Sequence, residues 1–85
     1  MSRQRSMEVI EQSEYVTIGE LVRLTGVRYS TLKFYTEEGM LPFEQAEENL
    51  TRRYRRGESI EMIYKIRKMR EEKMTIPEIK GKIKG

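Results

Sequence analysis

The stretch TIGELVRLTGVRYSTLKFYTEEGMLP runs from Thr17 to Pro42 and reads as two short helices with a tight turn between them. Its opening residues, Thr17-Ile18-Gly19-Glu20, have the form T-x-x-E. In such a capping box the threonine side chain caps the third helical amide and the glutamate bonds back to the threonine N–H. Ile18, Leu21 and Val22 then fall at i, i+3 and i+4, which gives a short helix with one apolar face. Thr25-Gly26 stops it, because glycine takes the left-handed backbone conformation that closes helices. Val27 plugs the turn. A second helix follows from Tyr29 to Glu38, with Leu32 and Tyr35 on its inner face and Gly39 closing it. Two short helices about a three- or four-residue glycine turn form a helix-turn-helix.

Downstream of it, Met40-Leu41-Pro42-Phe43 leaves the helix in extended form, Glu44 to Asn49 is acidic and polar, and Leu50 to Tyr54 returns as a strand. That pattern describes a small two-stranded wing. Gly57 marks the next boundary, with Glu58 or Ser59 at the cap of a third helix. In this helix Met62, Ile63, Ile66 and Met69 make an amphipathic stripe. Thr75-Ile76-Pro77-Glu78 repeats the T-x-x-E form with proline in the first turn, and opens a fourth helix faced by Ile76, Ile79 and Ile83. Upstream, residues 1–14 are polar and lack a sustained period. They read as a flexible, in part helical, N-terminal tail, in preference to a basic arm that places Arg3 and Arg5 in a minor groove. The folded unit is expected over residues 15–85.

Composition limits the chemistry. The 85 residues suffice for one small core, and a chain this short buries only about 60% of its unfolded surface. There is no Cys and no His, which removes disulfides, thiolate and imidazole metal sites, and the commonest catalytic base. No cofactor and no enzymatic activity are expected. Apolar runs are too short to span a bilayer, so no membrane association is expected and the protein reads as a soluble, intracellular domain. The net charge of +3 hides a division: residues 1–50 hold five Lys/Arg against nine Glu, and residues 51–85 hold twelve against five. A basic half beside an acidic half suggests one surface that meets a polyanion.

Thr17 to Pro42 resembles the first half of the MerR-type winged helix-turn-helix DNA-binding domain. The resemblance continues through Arg52-Arg53-Tyr54, which is similar to the family's wing signature, and through Ile60, Ile63 and Ile66 to Met74-Thr75-Ile76-Pro77-Glu78-Ile79. About 70 of the 85 residues are covered. The family pattern has arginine at Lys33, tyrosine at Phe34 and Thr51, arginine at Gln45 and glycine at Lys73. The resemblance implies a mainly α fold of four helices with a small two-stranded wing, and double-stranded DNA as partner.

Within a helix-turn-helix the second helix enters the major groove with its N-terminal residues nearest the base edges. Arg28, Tyr29 and Ser30 are therefore the candidates for base contact, with Lys33 one turn on. The Tyr35 ring can pack beside Leu32 while its hydroxyl reaches a phosphate. Thr17, at a helix start, suits a phosphate oxygen. Strand alternation sends Arg52 and Arg53 to opposite faces, and the family match selects Arg52 for DNA with Arg53 as a second backbone contact. MerR-type regulators usually continue into a long dimerisation helix and an effector domain, and the sequence stops short of both. The sequence then reads either as a DNA-binding fragment of a longer regulator or as a complete small protein of the same fold, and in the second case a homodimer or a head-to-tail array on DNA is expected. The leading reading is the DNA-binding domain of a bacterial transcription regulator. The alternatives are a small DNA-architectural factor, such as a phage excisionase or plasmid-maintenance protein, and a protein-interaction module.

Overall fold

A computed structural model describes residues 4–48 and 50–84; Arg3 lies outside the described residues. Seven elements follow one another: α1 (Met7–Gln12), β1 (Tyr15–Val16), α2 (Ile18–Thr25), α3 (Tyr29–Glu37), β2 (Tyr54–Arg55), α4 (Arg56–Glu71) and α5 (Ile76–Lys84). The fold is mainly helical with one small antiparallel sheet.

The helix-turn-helix forms by the local chemistry its sequence encodes. Thr17 Oγ1 accepts from the Glu20 amide at 3.2 Å, and the Thr17 amide donates to Glu20 Oε1 at 2.9 Å, which completes the capping box. Gly26 closes α2 at φ +74°, with its amide on the Val22 carbonyl at 2.8 Å. The α3 helix ends in a Schellman motif: Met40 donates to the Tyr35 carbonyl, Gly39 donates to the Thr36 carbonyl, and Gly39 sits at φ +77°. The Schellman pattern recurs at the end of α4, where Met74 donates to Met69 and Lys73 to Arg70. There the left-handed position, φ +65°, is held by Lys73 instead of a glycine.

Among the described residues twelve side chains make the core, and every element contributes. Leu21, Leu32, Tyr54, Ile63, Ile66 and Ile79 are fully buried. Tyr54 pairs with Val16 across the sheet. The hydroxyl of Thr36 donates to the Leu32 carbonyl at 2.9 Å, so the Tyr54 hydroxyl, 3.0 Å away, donates to Thr36. This chain of hydrogen bonds fixes α3 against β2.

Three expectations are corrected. The expected two-stranded antiparallel sheet is present but joins β1 to β2, in the register Tyr15 to Arg55 and Val16 to Tyr54, and among the described residues the wing is a loop closed by a single bridge between Glu44 and Arg53. Leu50 to Arg53 does not run as a strand, because the Gln45 side-chain amide donates to the carbonyls of Glu48 and Leu50 and folds the loop on itself. Second, α4 begins at Arg56 and runs through Gly57, so Ser59 is buried inside the helix and does not cap it. The Arg56 amide, an N-terminal donor without an intrahelical partner, is satisfied by the Glu14 carbonyl at 2.9 Å. Third, the helical part of the segment read as a flexible tail, α1, is packed on the domain, with Ile10 fully buried. Arg56 Nε also donates to the Ser13 carbonyl at 2.8 Å, tying this segment to the start of α4.

Two stability changes follow. A non-glycine residue in the left-handed region costs about 1–2 kcal/mol, and glycine returns part of that through chain entropy. Lys73→Gly should therefore stabilise the fold by about 0.5–1 kcal/mol, seen as a higher urea midpoint. Ile10→Ala should cost about 2–5 kcal/mol in the same measurement; an unchanged midpoint would mean that α1 does not pack on the domain.

Candidate nucleic-acid interface

The α3 helix has two unlike faces. Leu32, Tyr35 and Thr36 point into the core, while Tyr29, Ser30, Lys33, Phe34 and Glu37 are exposed. At 100° per residue the exposed set lies opposite the buried one, as the helical period requires. Arg28 immediately precedes the helix in extended conformation, makes no capping bond with its side chain, and is exposed. Among the described residues neither Arg28 nor Lys33 takes part in an ion pair. Arg28, Tyr29 and Ser30, the expected base-contact candidates, thus stand together at the start of α3, with Lys33 exposed one turn on.

Tyr35 does not join this face. Its side chain is only 6% exposed, and burial raises its hydroxyl pKa while Arg70 and Arg67 act in the opposite direction. Its part in the structure is packing, and its hydroxyl lies in the field of the α4 guanidinium groups. Phe34, the next residue back, is 43% exposed and packs its ring near Tyr35, 6.3 Å between centroids.

The two wing arginines have different surroundings, although the stretch that carries them is not a strand. The Arg52 guanidinium stacks over the Phe43 ring, 4.7 Å from its centroid, and Phe43 in turn meets Tyr54 at 6.1 Å. Arg53 lines an open groove together with Thr51, Tyr15, Thr17 and Glu20. The structure therefore brings Arg53 and Thr17 to one groove and holds Arg52 outside it. The wing's acidic character is partly compensated at its base, where Arg55 lies 3.7 Å from Glu44.

At the floor of this groove is an arrangement that sequence reasoning missed. Arg5 donates from Nε and Nη2 to the two carboxylate oxygens of Glu20, at 2.7 and 2.8 Å. It also donates to Ser13 Oγ at 3.0 Å and to the Tyr15 carbonyl at 3.1 Å. Arg23 donates to the backbone carbonyl of Arg5 at 2.6 Å. Arg5 is therefore engaged by its own chain, which leaves it no reach into a minor groove. Glu20, only 9% exposed, serves both as the capping-box acid of α2 and as the partner of Arg5. Its carboxyl is held below the ordinary range, first by the hydrogen bonds from Arg5 and further by those from Thr17. Nothing local in the sequence marks this pairing, since the partners are 15 residues apart.

The MerR HTH family of regulatory proteins matches the chain over residues 16–85, from the last residue of β1 to the end. The chain belongs to the MerR helix-turn-helix family. No curated protein and no solved structure matched it. The MerR match includes α2, α3, the wing, α4 and α5, and it leaves Arg5, α1 and Ser13 outside. A MerR-type domain is a DNA-binding regulatory module, and the class of function follows from that membership. Among the described residues no helix is long and apolar enough to cross a membrane, and no group of three or more acidic side chains is placed to hold a metal ion.

The Glu20 carboxyl gives a pH prediction with a definite sign. Because its folded pKa is lowered, its contribution to stability is present above the ordinary glutamate value of about 4.3 and is lost as pH falls through the lowered folded value. Glu78, held low by the Thr75 amide and hydroxyl, acts in the same direction. Thermal midpoints measured from neutral pH downward should therefore fall below pH of about 4.3, and Glu20→Gln should flatten that acid limb while lowering the midpoint at neutral pH. Parallel acid limbs in the two proteins would show that Glu20 carries none of the effect.

Proposed function

We propose that this chain binds double-stranded DNA as a transcription regulator, with α3 in the major groove and the wing base against the backbone. The observation that carries the reading is the exposed end of α3, where Arg28, Tyr29, Ser30 and Lys33 stand together, unused by the fold. In a helix-turn-helix this end lies nearest the base edges. Arg28 is the residue suited to bidentate contact with guanine, and Lys33 the one suited to phosphate. Arg53 and Thr17, side by side in their groove, supply a backbone contact on one flank, and Arg52 supplies another from its seat on Phe43. Tyr35 stays in the core. Glu47 and Glu48, exposed at the wing tip, repel phosphate, so the wing works through the arginines at its base. The place of action is then the cytoplasm, at the nucleoid.

Titration of the chain with random and selected duplexes across a salt series tests the reading. Affinity should fall linearly with salt on logarithmic axes, because association releases counterions. Lys33→Gln, Arg52→Gln and Arg53→Gln should each weaken binding on every sequence and reduce the salt slope by about one. Arg28→Ala should alter sequence preference by about 1–3 kcal/mol at one base position. Binding that is absent, or indifferent to salt, would sink the reading. Stoichiometry on longer duplexes reports whether copies bind singly, as homodimers or as a head-to-tail array.

A further inference from the structure

The groove that holds Thr17, Thr51 and Arg53 contains an electrostatic difficulty for the DNA-binding reading. Two carboxylates, Glu14 and Glu20, line the same groove. Glu20 cannot simply be absent, since its side chain accepts from the Thr17 amide and completes the cap of α2. A carboxylate in that position opposes any phosphate that approaches Thr17 and Arg53. The groove answers the charge with Arg5, whose guanidinium meets both Glu20 oxygens and is itself positioned by Ser13, by the Tyr15 carbonyl and, at its backbone, by Arg23.

We infer that Arg5 is a positioning residue for DNA binding: it neutralises the capping carboxylate of Glu20, so that the groove shared by Thr17 and Arg53 accepts a DNA phosphate. This rests on the DNA-binding reading and adds to it a residue outside the family-matched segment. With Arg5 in place, the ionic side chains lining the groove are Arg5, Arg53, Glu14 and Glu20, two of each sign. Without Arg5 the acids outnumber the single arginine, and the phosphate meets net negative charge. The short helix α1 contributes by fixing the arm: Ile10 is buried, and the Ser13 hydroxyl that receives Arg5 also donates to the Val9 carbonyl at 2.7 Å. Burial of Ile10 thereby holds a charge in register with a groove at the other end of the segment.

Four variants of the full chain separate charge from mere structure, each titrated with a labelled random-sequence duplex over a salt series. Arg5→Gln should bind about twofold to fivefold more weakly at low salt, the effect of one charge near a helix start. Glu20→Gln keeps a residue able to complete the capping box, and it should bind more tightly than the unaltered chain by a similar factor. The double variant should return to within about twofold of the unaltered chain. Arg5→Lys keeps the charge without the fork and should stay close to it as well. All differences should narrow as salt rises, because screening acts on charge and not on folding. A double variant as weak as Arg5→Gln, or an Arg5→Lys variant as weak as Arg5→Gln, would show that Arg5 acts only as a strap and would overturn the inference. If Arg5→Gln does not fold, the direction of Glu20→Gln decides: binding no tighter than the unaltered chain overturns it. An unaltered chain that shows no salt-dependent binding sinks the DNA-binding reading itself, whereas salt-dependent binding with a flat variant series sinks only the role of Arg5.

Discussion

The Tyr54 side chain is the constraint on which the relative placement of the functional elements depends. It is fully buried, and each part of it touches a different part of the fold. Its backbone pairs with Val16, its hydroxyl donates to Thr36 on α3, and its ring packs against Phe43 beneath the Arg52 guanidinium. One residue further on, β2 passes directly into α4. A buried tyrosine hydroxyl without a partner is costly, about 1–3 kcal/mol, so the Thr36 bond favours one orientation of α3 relative to the sheet. The exposed end of α3 and the arginines of the wing are thus set against each other through a single core side chain.

The groove beside α2 shows a second kind of economy. One carboxylate caps a helix and receives a distant arginine, so the start of α2 and the N-terminal segment depend on the same group. The segment itself is held at several points: Ile10 in the core, the Glu14 carbonyl on the first amide of α4, and the Ser13 carbonyl on Arg56. A helix as short as α1 has little stability of its own in water, and tertiary contacts of this kind are what hold it.

What was legible in the sequence was local. Both T-x-x-E boxes form as written, at Thr17 and at Thr75, and Gly26 and Gly39 take the left-handed positions assigned to them. Each of these signals operates within one helical turn, where residue identity and spacing determine the hydrogen bonds. The apolar stripe of α4 was legible for the same reason, with Ile63 and Ile66 fully buried. The missed features all depend on residues far apart in the chain. Two-residue strands leave no alternation to read, so the pairing of Tyr15 with Arg55 had no sequence signature. A polar segment with one isoleucine gives no period, yet that isoleucine is enough to dock α1. Arg53, not Arg52, enters the groove of Thr17 because the wing narrows to one bridge at Glu44, which sets the register of the returning chain.

The uneven charge along the chain takes on a different meaning in three dimensions. Three of the nine glutamates in the first half are engaged within the fold: Glu20 on Arg5 and the cap, Glu38 on Lys80 at 3.1 Å, and Glu44 beside Arg55. Each of those contacts consumes a cation as well. Among the described residues Arg28 and Lys33 have no such partners, although both belong to the acidic half of the sequence. Ion pairs near the surface contribute little to stability, so the fold gains little by pairing these two. An unpaired cation on the outward face of a helix-turn-helix is, by contrast, worth much to a phosphate or a guanine edge, where charge-assisted bonds form. Under the proposed DNA-binding reading, what singles out Arg28 and Lys33 is their place on the exposed side of α3 and just before it, more than the net +3.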